Sequence, residues 1–124
     1  MGYKFPKENR LLNSSDYNYL RRGASVANSP WARAYYKLSV KSAQNGRLGI
    51  SVTKKVGKAN VRNYLKRLTR EYYRSNNFSS LGYDVVLTVS PRLTKKFEDK
   101  EEFGAQYLKS LDQIFSRISQ CSGN

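Results

Sequence analysis

Read for hydrophobic and polar positions alone, the chain predicts three strands and three helices. Trp31 to Val40 sets Ala32, Ala34, Tyr36, Leu38 and Val40 against Arg33, Lys37 and Ser39, the period-two pattern of a half-buried strand. Asn45-Gly46 marks a tight reversal into Leu48, Ile50 and Val52, which Gly49 and Ser51 separate. The pattern there predicts a second, antiparallel strand and a hairpin between the two. From Val61 to Arg74 the period lengthens: at about 100° per residue, Val61, Leu65, Leu68 and Tyr72 share one apolar stripe. A polar loop over 75–82 leads to the β-branched run Tyr83 to Ser90, a third and central strand ended by Ser90-Pro91. Phe97 to Ser119 closes the pattern as a helix with Phe103, Tyr107, Leu111, Ile114 and Ile118 on one stripe, slightly weakened by Gly104.

Upstream, Asn13 or Ser14 caps a first helix of about two turns, with Asp16 in its first turn and Gly23 at the position of a C′ glycine. Tyr17 and Leu20 share a face there with Arg21 beside them, and Tyr17 fits two roles, core filling or a stacking surface for a base. Met1 to Arg10 reads as an extended basic arm, since Pro6 opposes an early helix, and 120–124 reads as a flexible tail. The 124 residues fit one domain, 1–124, around a single core.

Charge changes this picture from a generic α/β domain to a polyanion binder. The formal charge is +14, and the stretch Lys54 to Arg74 holds Lys54, Lys55, Lys58, Arg62, Lys66, Arg67, Arg70 and Arg74 against the single acid Glu71. On the wheel, Arg62, Asn63, Lys66, Arg67, Arg70 and Arg74 lie together, away from the apolar stripe. A solubilising face mixes both signs, because like charges one turn apart repel; this one is almost purely cationic. Counterion release makes such a surface bind nucleic acid even without base contacts. Gly57 and Lys58 before the helix allow close backbone approach. Tyrosines and arginine on the first strand add a platform for unpaired bases, with Tyr35 and Tyr36 both candidates to face it.

The chemistry-bearing residues are sparse. There is no histidine, and the one cysteine, Cys121, has no partner for a disulfide or a zinc site. Glu98, Asp99, Glu101 and Glu102 gather where carboxylates complement a helix dipole, and are read as that rather than as metal ligands. The usual parts of a protein-based hydrolase are missing. No segment approaches the roughly 20 apolar residues of a membrane span, and the N-terminus lacks a signal-peptide core, so the expectation is a cytoplasmic protein without membrane or small-molecule partners.

The central stretch resembles the signature of the bacterial ribonuclease P protein family: a basic loop, a glycine, then a helix with an Arg-Asn-Arg core followed by Lys-Arg and a further Arg. Lys54, Lys55, Gly57, Lys58, Arg62, Asn63, Lys66, Arg67 and Arg70 carry the match, and FPKENRLL, Tyr17 and RLGISVTKKVGKA extend it over nearly the whole chain. Tyr64 stands where the third residue of the core is arginine. The resemblance implies an α+β two-layer sandwich in the order αβββαβα, like the second domain of ribosomal protein S5, with about four strands and the basic helix inside a left-handed βαβ crossover, an exception to the usual rule. It implies that Lys54, Lys55, Lys58, Arg62, Asn63, Lys66, Arg67, Arg70 and Arg74 bind a catalytic RNA, and that Tyr17, Arg21, Tyr35 and Tyr36 line a cleft for the 5′ leader of precursor tRNA. The RNA and its magnesium ions (Mg2+) would do the hydrolysis, so the ribonucleoprotein, not the protein alone, is the endonuclease. A ribosomal RNA-binding protein shares the charge and small fold but needs neither signature nor aromatic cleft. A DNA-binding regulator would pack a second helix on the basic one through a short turn, where this chain places strands.

Overall fold

The computed structural model describes residues 20, 22–38 and 46–122. Its four strands, β1 (Ser25–Asn28), β2 (Ala32–Leu38), β3 (Leu48–Ser51) and β4 (Tyr83–Val89), form one sheet in the order β1-β2-β4-β3. The first is the strand the hydrophobic pattern does not announce. Of its four residues only Ala27 is buried, so no alternation marks it; it is an edge held by antiparallel pairing to β2. The turn between them is fixed by Ser29, whose backbone N–H and hydroxyl both donate to the Ala32 carbonyl at 2.9 Å.

The hairpin expected between the strands around Asn45-Gly46 does not form. β4 inserts between them, antiparallel to β2 from Ala32↔Val89 to Leu38↔Tyr83 and parallel to β3 from Leu48↔Val85 to Ser51↔Thr88. The physical reason lies in β4 itself: Val85, Val86, Leu87 and Val89 are all buried, so this strand needs cover on both faces and takes the interior position. Gly46 serves close approach rather than a turn. A Cβ there would lie 2.3 Å from the Tyr83 carbonyl oxygen, and the Gly46 N–H donates to the Ser79 carbonyl at 2.8 Å.

Helix α1 (Ala59–Ser75) connects β3 to β4, making the parallel βαβ crossover that the resemblance implies. Its buried line is Leu65, Thr69 and Tyr73, with Val61, Leu68 and Tyr72 half-buried beside it, a rotation of roughly a fifth of a turn from the expected stripe. Thr69 reads as polar but is satisfied in the core: its Oγ1 donates to the Leu65 carbonyl at 2.7 Å and shares a 2.6 Å hydrogen bond with the Tyr107 hydroxyl. A 3₁₀ turn, Phe78–Leu81, follows α1 and stacks Phe78 on Phe115 at 4.4 Å between centroids.

The closing helix starts three residues later than the pattern predicts, and a short helix that the pattern does not announce precedes it. α2 (Arg92–Lys96) ends at Phe97, whose backbone is extended and whose ring meets Trp31 edge-on at 5.4 Å; α3 (Lys100–Ser122) begins after it and runs three residues further than the sequence predicts, into the expected tail. Asp99 Oδ2 accepts the Glu102 N–H at 3.2 Å, which gives the acidic run a capping role. Phe103, Tyr107, Leu111, Ile114 and Ile118 are all buried, as their spacing predicts. Helices α1 and α3 cover one face of the sheet, where Ala32, Ala34, Tyr36, Leu48, Val85, Leu87 and Val89 form the main core with them.

One ion pair was not anticipated. Arg47 and Asp84, with side chains 6% and 0% exposed, meet at 2.8 Å between Nη2 and Oδ2, and Oδ1 also accepts the Arg47 backbone N–H at 3.0 Å. Three hydrogen bonds from Arg47 to the Asp84 carboxylate, together with the Val85 N–H donating to the Arg47 carbonyl at 2.8 Å, tie the start of β3 to the start of β4.

Candidate nucleic-acid interface

The basic loop is anchored because its centre is apolar. Val56, 3% exposed, plugs the core between Lys55 and Gly57; its N–H donates to the Thr53 carbonyl at 3.0 Å, and its own carbonyl accepts the Thr94 hydroxyl of α2. Lys54, Lys55 and Lys58 are thereby left exposed on a loop pinned at both sides. That anchor also sets exposed Lys95 and Lys96 of α2 on the strand-flanking element tied to the loop, an extension of positive surface that the sequence signature does not contain. Lys58, the N-cap of α1, gives no side-chain cap and the first turn holds no acid, so no carboxylate offsets the positive end of the dipole.

Along α1, Asn63, Arg67 and Arg70 are exposed and Lys66 and Arg74 half-exposed. At 100° per residue, Asn63, Arg67, Arg70 and Arg74 fall within about 60° of one another, a narrow cationic ridge opposite the buried line. Arg62 stands apart from that ridge. It is half-buried, and its Nε donates to the Gly57 carbonyl at 3.2 Å, so part of its donor set holds the basic loop against the helix. Gly57 permits this closeness: a Cβ there would sit 3.1 Å from the Val61 side chain. Tyr64 is half-buried beside the ridge, its ring edge-on to Phe103 at 6.0 Å, with Lys100 Nζ 4.3 Å and the Arg67 guanidinium carbon 5.8 Å from its centroid.

The second surface lies on the other side of the sheet. Strand alternation and the β2–β4 register place Arg33, Tyr35, Lys37, Val86 and Thr88 together on that face. Tyr35 packs with Val86 and with Leu20, which is 1% exposed, in a small second core. Tyr36, expected as an alternative lining residue, points the opposite way: it is 6% exposed, in the main core, edge-on to Tyr83 at 5.6 Å. The reason is the period of two, which sends neighbours to opposite faces. Tyr17, Arg21 and the 1–10 arm lie outside the described residues. A hollow of about 410 Å³ adjoins Tyr35, and Arg33, Arg92, Thr88 and Ser90 are among its walls. Arg33 was within reach of sequence reasoning, being two residues from Tyr35 on the same strand face; Arg92, brought in by the turn after β4, was not.

Among the described residues no three His, Cys, Asp or Glu side chains gather in a way that fits a metal ion, and no helix is long and apolar enough to cross a membrane. A family model described as Ribonuclease P matches residues 5–118. The ribonuclease P protein component of Geobacter sp. (strain M21) is 42% identical over 114 residues, 92% of this chain and 91% of that one. That of Dictyoglomus turgidum is 49% identical over 73 residues, a segment spanning 58% of this chain and 59% of the relative's length. Among solved structures, the ribonuclease P protein of Thermotoga maritima, determined in complex with 1-(4-fluorophenyl)-2-thiourea, superposes with a TM-score of 0.68 at 28% identity, covering 85% of this chain and 99% of that one. A mutant of the Staphylococcus aureus protein gives a TM-score of 0.73 at 24% identity over 91% of this chain, a likeness of fold. With a match over nearly its full length, the fold of those structures and the basic loop and helix in place, the chain belongs to the ribonuclease P protein family.

Proposed function

We propose that the chain is the protein subunit of ribonuclease P, that it docks on the catalytic RNA through the basic loop and the ridge of α1, and that it holds the 5′ leader of precursor tRNA on the Tyr35 face. The observation that carries this reading is the separation of the two surfaces by the sheet: the cationic ridge sits on a helix of one layer, and Tyr35 with Arg33 faces away from it. Two RNA segments are thus held without competing for one site. In this reading the RNA and its magnesium ions perform the hydrolysis, in the cytoplasm, and the protein is the non-catalytic part of the ribonucleoprotein.

Lys66→Ala with Arg70→Ala removes two cations and no buried side chain. Binding to a bacterial ribonuclease P RNA transcript should fall, with the wild-type log K declining against log salt at a slope of about −3 to −5 for roughly five phosphate contacts. Tyr35→Ala should instead weaken the reconstituted enzyme's affinity for precursor tRNA by about 1–3 kcal/mol if a base stacks there, leaving mature tRNA unchanged. Equal loss for both substrates at one fixed salt concentration would reject the leader assignment, and a wild-type slope near zero would reject electrostatic docking.

A further inference from the structure

The cationic ridge of α1 has an unusual neighbour in Tyr64. Its ring stands edge-on to Phe103, and the hydroxyl lies over Gly104, where a Cβ would come within 2.6 Å of it. A glycine inside α3 is thereby explained by close approach: the notch admits the phenol. With its edge and tip fixed between two helices, the ring faces a hollow of about 350 Å³ whose walls are Asn60, Asn63, Tyr64, Arg67 and Lys100. Lys100 comes from the first residue of α3 and Arg67 from the middle of α1, and both stand over the same aromatic ring.

Two like charges brought to one ring need a reason. The negative face of the ring attracts each cation, by about 0.5–1 kcal/mol at exposed sites, which offsets part of their mutual repulsion. No ion pair joins Lys100 or Arg67 to an acid among the described residues, although the exposed Glu98 lines a second hollow of about 220 Å³ that shares Asn60, Tyr64 and Lys100 with the first. Two cations and two side-chain amides converge on an open mouth, which makes a site for an oxyanion whose neighbouring groups accept or donate hydrogen bonds. The mouth opens beside Asn63 and Arg67, themselves members of the α1 ridge.

We infer that Tyr64 gathers Lys100 and Arg67 into a phosphodiester site of the docked RNA, so that the RNA interface crosses from α1 onto the start of α3. This rests on the RNA-docking reading of α1. Lys100 and Arg67 bind the phosphate, Asn60 and Asn63 reach the adjoining sugar or base, and Tyr64 is a positioning residue that acts through the two cations.

The test is a salt titration of binding to a bacterial ribonuclease P RNA transcript, with wild type, Lys100→Ala, Tyr64→Leu, Tyr64→Phe and, as control, Lys109→Ala, an exposed lysine on the far side of α3. Lys100→Ala should lower the salt slope by about one and the affinity by about eightfold at 0.1 M salt, the loss expected of one phosphate contact. Tyr64→Leu should weaken binding in the same direction without changing the formal charge, Tyr64→Phe should restore most of it, and Lys109→Ala should match wild type. A thermal melt of each variant separates an unfolded Tyr64→Leu from a weakened one, and Lys100→Ala, which alters only an exposed side chain, stands on its own. If wild type binds with a steep slope and Lys100→Ala is indistinguishable from it, this site is refuted while the docking reading survives. A wild-type slope near zero overturns both. Titration with inorganic phosphate alone forms the last arm: phosphate saturating the hollow while RNA affinity ignores Lys100 would make it a free-anion site and also refute the proposal.

Discussion

Asp84 carries no exposed surface, yet it is a carboxylate in a strand whose other buried residues are all valine or leucine. Its charge is tolerated because Arg47 supplies both a guanidinium and a backbone N–H to it. Removing one member leaves the other charged and buried, which costs about 3–5 kcal/mol, whereas an exposed pair would cost a fraction of that. Asp84→Asn should therefore lower the urea midpoint by an amount corresponding to several kcal/mol, and a change under 1 kcal/mol would show that Arg47 escapes to solvent. Three tyrosines set a different dependence. Burial pushes the Tyr107 hydroxyl well above the ordinary tyrosine range, only partly opposed by its hydrogen bond to Thr69; burial does the same at Tyr73, helped by the Asp84 charge, and at Tyr72, helped by the Asp112 carboxylate that accepts its hydrogen bond. Above about pH 10 the unfolded chain releases these protons while the folded chain keeps them, so stability is full below that pH and falls as pH rises beyond it. Tyr107→Phe should lose about 1 kcal/mol at neutral pH for the hydrogen bond to Thr69 and show a shallower decline between pH 10 and 11 than wild type. Urea midpoints measured at each pH decide it, and parallel curves would mean that Tyr107 ionises without unfolding.

At the scale of elements, β3 is a short parallel strand placed by contacts that lie outside its hydrogen bonds. Gly46 lies against the Tyr83 backbone, the Tyr73 hydroxyl donates to the Gly46 carbonyl at 3.2 Å, and Arg47 clamps Asp84 one residue later. Gly46→Ala forces a methyl onto a backbone oxygen rather than onto a movable side chain, so the strands must separate. We expect about 1–3 kcal/mol or more of destabilisation in chemical unfolding, while Gly57→Ala, whose neighbour is a side chain at 3.1 Å, should be milder. Periodicity made α1, β2, β4 and the apolar stripe of α3 readable from the sequence, because each repeats over two turns or several alternations. It could not reveal β1, whose only buried residue is Ala27, nor the partner of β3, since Asn45-Gly46 carries the same letters whether it turns a hairpin or fits a crowded backbone. The short helix Arg92–Lys96 went unread because five residues span little more than one turn, too few to show a helical period.

For the whole molecule, the loop and ridge cations were legible as a linear run, which is how a helix and its leading loop display a surface. The Tyr64 hollow was not: Lys100 lies between Asp99 and Glu101, where it reads as one member of a mixed-charge first turn, and only the packing of α3 on α1 brings it to the ring. Likewise the division into two faces follows from a register that pairs Tyr35 with Val86 and Tyr36 with Val85, residues some fifty positions apart. That distance bears on how the chain is made. The strand between β2 and β3 is the last of the four to leave the ribosome, so a nascent chain displays the basic loop and helix before there is a sheet to set them in place. Until Val89 has emerged, β2 has only its edge partner and β3 has none, and the growing chain carries an excess of positive charge beside ribosomal RNA. Closing the sheet from both sides onto one late strand makes the arrival of β4 the event that turns a loose cationic segment into a shaped one.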